Sequence, residues 1–301
     1  MTSPPHSVLC SEAHARYLQD RNAASDALDW RTALWLARRS IIRFLRASEF
    51  LTDVSKSLQE NGGHSLALRH FLAPPISQDQ FKLICPEWIK DAENRCRPLT
   101  KVRADAVAHV FNERLSARLA PWVRYGRAPT LPELGSAIGS IAPLIANQQV
   151  ATARRTRLSS LQEQAVIDLL KTKRWTQVQS GLVSTSGMLP AMHFMHKTRF
   201  ASGPSENQEV DIACGMGGTI VLAMECKVTN DTTNSVKRVN DVLKKAGAWK
   251  SHWGIFVKPA ALLQGVIKLS DVQRLLDANV EVFWAHRLDL FEAWIDSNLV
   301  T

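Results

Sequence analysis

Three residues in the stretch from Gln208 to Val228, QEVDIACGMGGTIVLAMECKV, have types and spacing that can do chemistry: Asp211, Glu225 and Lys227. The two-residue period of a β-strand places Val221, Ala223, Glu225 and Lys227 on one face and Leu222, Met224, Cys226 and Val228 on the other. Glu225 and Lys227 therefore point the same way. Gly215-Met216-Gly217-Gly218 supplies residues tolerant of positive φ, so a hairpin returns Asp211 alongside Glu225. Two neighbouring carboxylates repel unless a cation sits between them, and hard oxygen ligands in a site open to water and phosphate suit Mg²⁺. Such a metal activates a water and offsets charge on a phosphate, while Lys227 orients that water or helps deprotonate it. The chemistry indicated is metal-dependent phosphodiester hydrolysis.

A bare Glu-X-Lys is common, and its placement carries the information. Here it ends an apolar strand, where an unneeded buried charge is costly, and a second carboxylate lies on the preceding strand. The competing reading makes all three solvated residues at a strand edge. The flanking sequence predicts a helix over 160–171 carrying Glu163, strands at 175–179 and 193–200, the two motif strands, a helix over 234–249 and a strand over 253–258.

Asp211, thirteen intervening residues and then Glu225-Cys226-Lys227, within this order of elements, resembles the PD-(D/E)XK nuclease superfamily. Val210 stands where the superfamily name has proline. Further, ECKVTNDTTNSVKRVND and the segment APPISQDQFKLICPEW from Ala73 to Trp88 are similar to the XamI family of type II restriction endonucleases. The resemblance implies Mg²⁺-dependent cleavage of double-stranded DNA. It assigns metal to Asp211 and Glu225, water positioning to Lys227, and an auxiliary acidic ligand to Glu163. It also implies a homodimer on a palindromic site and a companion methyltransferase protecting host DNA.

The whole chain agrees in character. Its 301 residues can bury one large domain or two modest ones, and 45% hydrophobic with 22% charged residues is a globular composition. A net charge of +9 favours a polyanionic partner. Five cysteines, an odd number without CxxC spacing, point to reduced thiols in a cytoplasm rather than to structural zinc. Cys226 faces the core as a small hydrophobe. The segment MTSPPHSVLCSEAH has no signal-peptide pattern, and Arg31, Arg38, Arg39, Arg43 and Arg46 interrupt the nearest approach to a membrane span at 28–51. That segment reads instead as an amphipathic basic helix with a solvated, membrane-surface or phosphate-contacting face.

The fold expected is an α/β core, a central mixed sheet flanked by helices, over 151–301, after a mainly helical DNA-binding domain over 1–150. Pro129 to Pro143 reads as a connector or short helices, and Lys101 to Arg127 as a helix with Val102, Ala106, Val110, Leu115 and Leu119 inward. Arg154, Arg155 and Arg157 are either phosphate ligands or solvated linker charges. Gln78, Gln80 and Lys82 are candidate base or phosphate contacts, although Ser77 with Gln80 also spells a helix capping box. On the helix from Asn234, Val236, Val239, Leu243 and Ala246 face the core, and Asn234, Lys237 and Asn240 are candidate DNA contacts. Lys244, Lys245 and Lys250 read as a solvated face. His193 and His196, three apart on a strand, are not a ligand pair. The alternatives to a restriction enzyme are a repair, recombination or structure-specific nuclease and a non-cleaving DNA-binding protein on the same fold.

Overall fold

The computed structural model describes residues 4–21, 23–203 and 206–300. The chain divides into two compact units, Met1–Asn22 with Arg154–Thr301, and Ala23–Ala153. The first helix, α1 (His6–Gln19), belongs to the former.

The second unit is helical: α2 (Ala23–Ala47), α3 (Val54–Glu60), α4 (Ser65–His70), α5 (Gln78–Ile84), α6 (Lys90–Asn94), α7 (Lys101–Arg114), α8 (Pro121–Arg124) and the first part of α9 (Leu131–Thr172). Helix α2 buries Ala33, Ala37, Ile41, Phe44 and Leu45 at helical spacing and leaves its five arginines exposed. Arg39 lies 4.4 Å over the ring of Trp35, which is itself exposed. The same core takes Ala104, Val107 and Phe111 from α7. Val102, expected inward, is 77% exposed, and the helix ends at Arg114 rather than near Arg127.

The expected connector around Pro143 is instead part of one 42-residue helix. A proline inside a helix costs about 3 kcal/mol. Ile141, Ala142, Ile145 and Ala146, all fully buried on that turn, outweigh it, since each isoleucine contributes about 1.5–3 kcal/mol.

The other unit is built on β1 (Thr176–Gln177), β2 (Leu182–Val183), β3 (His193–Phe200), β4 (Gln208–Gly217), β5 (Ile220–Thr229), α10 (Thr232–Trp253), β6 (Val257–Gly265), α11 (Leu269–Asp277), β7 (Glu281–Trp284) and α12 (Leu288–Asn298). A seven-stranded mixed sheet runs β1-β3-β4-β5-β6-β7, with β2 also paired to β3. The β3-β4-β5 meander is antiparallel, and β5-β6-β7 are parallel. Helices α10 and α11 are the crossovers that parallel pairing requires. This is the expected α/β core with its sheet flanked by helices. Among the described residues no helix is long and apolar enough to cross a membrane.

The motif hairpin turns at Gly218-Thr219, both at positive φ, a pair suited to a two-residue turn. Leu222, Met224 and Cys226 pack with Ile212 and Cys214 under α9 and α12, while Val221 and Ala223 pack with Trp249 and Trp253 of α10. The alternation of β5 read from sequence therefore holds. On β3 and β4 it resets: Phe194 and Ile212 face the first cluster, but Phe200 and Val210, an even number of residues away, face the second. The reset falls between the paired rungs His196–Ile212 and Thr198–Val210, where Lys197 takes a left-handed φ of 55°.

One buried ion pair anchors the helical unit. Arg69, fully buried, donates to both oxygens of Glu93 at 2.6 and 3.0 Å and to the Ile76 carbonyl at 2.6 Å. Glu93→Ala strands a buried guanidinium and should cost about 3–5 kcal/mol in urea denaturation. Glu49→Ala, at the exposed Lys56–Glu49 pair, should leave the urea midpoint nearly unchanged in the same experiment.

Candidate active site

The β4–β5 ladder pairs Ile212 with Met224 and is not paired beyond that rung. The Cys226 N–H, next along β5, donates instead to Asp211 Oδ2 at 2.7 Å. Asp211 thus substitutes a carboxylate for a strand, and its side chain is fixed where the two strands part. Cys226 is buried beneath, its thiol pushed well up by burial and so unreactive.

Glu225 is fully buried. Lys227 Nζ donates to Oε2 at 2.7 Å, and Lys245 of α10 donates to both oxygens at 2.8 and 2.9 Å. Lys245 also donates to the Glu209 carbonyl at 3.0 Å. Burial pushes the Glu225 carboxyl up and Asp211 adds to this, while the two ammoniums oppose it. Lys227 makes a second ion pair at 2.9 Å with Asp241 of α10. Burial alone would lower Lys227, but Glu225, Asp241 and Asp211 together hold it above its ordinary value, so it stays an ammonium.

Asp211 and Glu225 are the two carboxylates that could share a cation, and their mutual repulsion gives it a place. Oδ1 of Asp211 has no hydrogen-bond partner among the described residues. Two protein oxygens with the remainder from water and phosphate is the usual manner of holding Mg²⁺. A cleft of about 300 Å³ opens at this point, lined by Asp211, Lys227, Lys197, Ser159, Arg155 and Arg238.

Glu163, on α9, is not drawn into one group with them: among the described residues no three His, Cys, Asp or Glu side chains gather as a metal site. Its buried carboxylate takes His196 Nε2 at 2.7 Å, Lys197 Nζ at 3.1 Å and Ser159 Oγ at 3.1 Å. Adjacent strand residues normally point to opposite faces, and the left-handed backbone at Lys197 lets His196 and Lys197 meet on the same oxygen. His193 bonds the Ala191 carbonyl instead, so the two histidines are not a pair.

A model of the family described as XamI restriction endonuclease matches residues 49–284. The type II restriction enzyme XamI of Xanthomonas campestris pv. amaranthicola is 31% identical over 250 residues, covering 80% of this chain and 87% of that protein. The chain belongs to the XamI restriction endonuclease family. The crystal structure of protein VC1899 from Vibrio cholerae is similar at 11% identity with a TM-score of 0.32, over 90% of this chain, which spans 56% of that one.

The candidate residues Gln78, Gln80, Lys82, Glu163, Asp211, Glu225, Lys227, Asn234, Lys237 and Asn240 lie within the span matched to the family. On α10, Asn234, Arg238, Asp241 and Lys245 recur at four, three and four residues and form one stripe toward the cleft. Asn234 is on it, bonded to Asp231, while Lys237 is exposed off the stripe and Asn240 accepts from Arg274 of α11 at 2.6 Å. Lys245, read from sequence as solvated, is the correction of most consequence, and Arg238 and Asp241 were missed as site residues. Their alternating charge at helical spacing, adjoining the buried stripe of Val239, Val242 and Ala246, was the available signal. In the helical unit, Gln78 donates to Glu93 and Asn94 and lines an open pocket of about 740 Å³ with Arg39, Arg43, Gln148 and Gln149. Gln80 closes the capping box with Ser77, and Lys82 bonds the Pro86 and Trp88 carbonyls.

Glu163 also yields a pH prediction. Burial pushes its carboxyl up, but the bonds from His196, Lys197 and Ser159 outweigh that and leave it below its ordinary value. The folded state then binds fewer protons than the unfolded chain, so the stabilisation is present above the ordinary glutamate pKa of about 4.3 and lost as pH falls through the lower folded value. Glu163→Gln should reduce unfolding free energy by about 1.5–3 kcal/mol at pH 7, and the gap from wild type should narrow below about pH 4. A gap unchanged across that window would refute the assignment.

Proposed function

We propose that the protein hydrolyses double-stranded DNA at a specific sequence as a type II restriction endonuclease of the PD-(D/E)XK kind, with Asp211, Glu225 and Lys227 as its catalytic residues. The observation that carries this is the convergence of one half-exposed and one buried carboxylate with an ammonium at the point where two strands part, within a family of restriction endonucleases. Asp211 and Glu225 would hold Mg²⁺, which when bound supplies charge neutralisation and a more acidic water. Lys227 positions the attacking water or donates to a phosphate oxygen. Lys245 and Lys227 oppose the upward push of burial on the Glu225 carboxyl and so favour the ionised form that would ligate. The helical unit with its exposed arginines and the Gln78 pocket supplies further DNA contacts. In this reading the enzyme works as a homodimer on a palindromic site in the cytoplasm, beside a methyltransferase that protects host DNA.

Purified protein incubated with unmethylated phage DNA should give discrete fragments with Mg²⁺ and none with EDTA. Lys227→Ala should slow cleavage by about 10²–10³-fold, the usual loss when one donor to a developing charge is removed. A smear in place of bands would favour a nuclease without a fixed site, and intact but gel-shifted DNA would favour a binding protein on the same fold.

A further inference from the structure

Beside the cleft at Asp211 lies a second, smaller hollow of about 110 Å³, lined by Arg155, Val228, Asn230, Asn234 and Arg238. Arg155, Val228 and Arg238 line both, so the two adjoin. Val228 directly follows Lys227, which places the second hollow one residue further along β5 from the reacting groups.

The cations around this groove are not equivalent. Lys197 is paired with Glu163, and Lys227 with Glu225 and Asp241. Arg155 of α9 and Arg238 of α10 have no hydrogen-bond or ion-pair partner among the described residues, although both front the same space. Asn230 adds a buried side-chain oxygen without a partner among the described residues. The same carboxamide, on the lining of the hollow, carries two N–H donors. Two unpaired guanidiniums and an uncommitted carboxamide have the donor geometry and charge for a tetrahedral oxyanion, and arginine binds phosphate through a planar fork of donors.

We propose that Arg155 and Arg238 form a subsite for a DNA backbone phosphate next to the scissile one, which sets the register of the strand over Asp211 and Lys227. This rests on the nuclease reading of the site and adds to it the residues that position the strand. The subsite is sequence-blind, because phosphate contacts fix orientation and carry no base information. It also gives a role to two arginines that have no hydrogen-bond or ion-pair partner among the described residues, Arg238 acting otherwise only at a distance on Asp241.

The test is DNA binding in EDTA, followed by fluorescence anisotropy of a labelled duplex across a salt series, for wild type, Arg155→Ala, Arg238→Ala, the double variant and Arg238→Lys. Each alanine variant should reduce the slope of log affinity against log salt by about 1, weaken cognate and non-cognate duplexes alike, and leave the thermal midpoint unchanged. Arg238→Lys should retain the slope. Alanine variants with the wild-type slope, in a protein that binds and cuts, would overturn the subsite alone. A loss confined to cognate DNA would also overturn it, since that would mean base reading. A wild type that neither binds nor cuts DNA would overturn the nuclease reading and the subsite together.

Discussion

The structure depends on keeping one carboxylate charged inside a sheet. Glu225 is fully buried among apolar strands, and an isolated ion there would be too costly to persist. Two ammoniums from different elements make it tolerable: Lys227 from its own strand and Lys245 from the crossover helix. That requirement constrains the helix as well as the strand, since α10 must lie where Lys245 reaches both oxygens and Asp241 reaches Lys227. The parallel β5–α10–β6 crossover is thereby tied to the chemistry by charge in addition to the packing of Val239, Val242, Ala246 and Trp249.

Much of this was legible in the sequence, because strand alternation is a local rule. The two faces of β5, the inward Cys226 and the hairpin that returns Asp211 all follow from spacing and glycine chemistry. The order of elements in the sheet unit was legible for the same reason. Where the sequence misled, a non-local term intervened. Pro143 reads as a break until the buried side chains on its turn are counted. Trp253 reads as the start of a strand, yet α10 runs through it, and the chain reverses at Gly254, whose φ is 57°, leaving Ile255 exposed before β6 begins at Val257.

The candidate site divides along the same line. Asp211, Glu225 and Lys227 were found because one strand and one turn bring them together. Lys245, Asp241 and Arg238 were passed over because a charged stripe on a helix looks identical whether it faces solvent or a buried carboxylate. Only the partner across the gap distinguishes the two. Gln80 shows the converse: its polar character was noticed, and the structure uses it to cap a helix.

The reset of alternation at Lys197 and Asp211 has a meaning for how the chain can vary. A strand that regains a right-handed backbone at 197 would turn its remaining residues over relative to the sheet. Its neighbour would then have to shift by the same step to keep Val210 and Phe200 packed against the tryptophans of α10. The bend at Lys197 and the placement of Asp211 at the parting of the strands are therefore one geometric unit, and neither can move without the other.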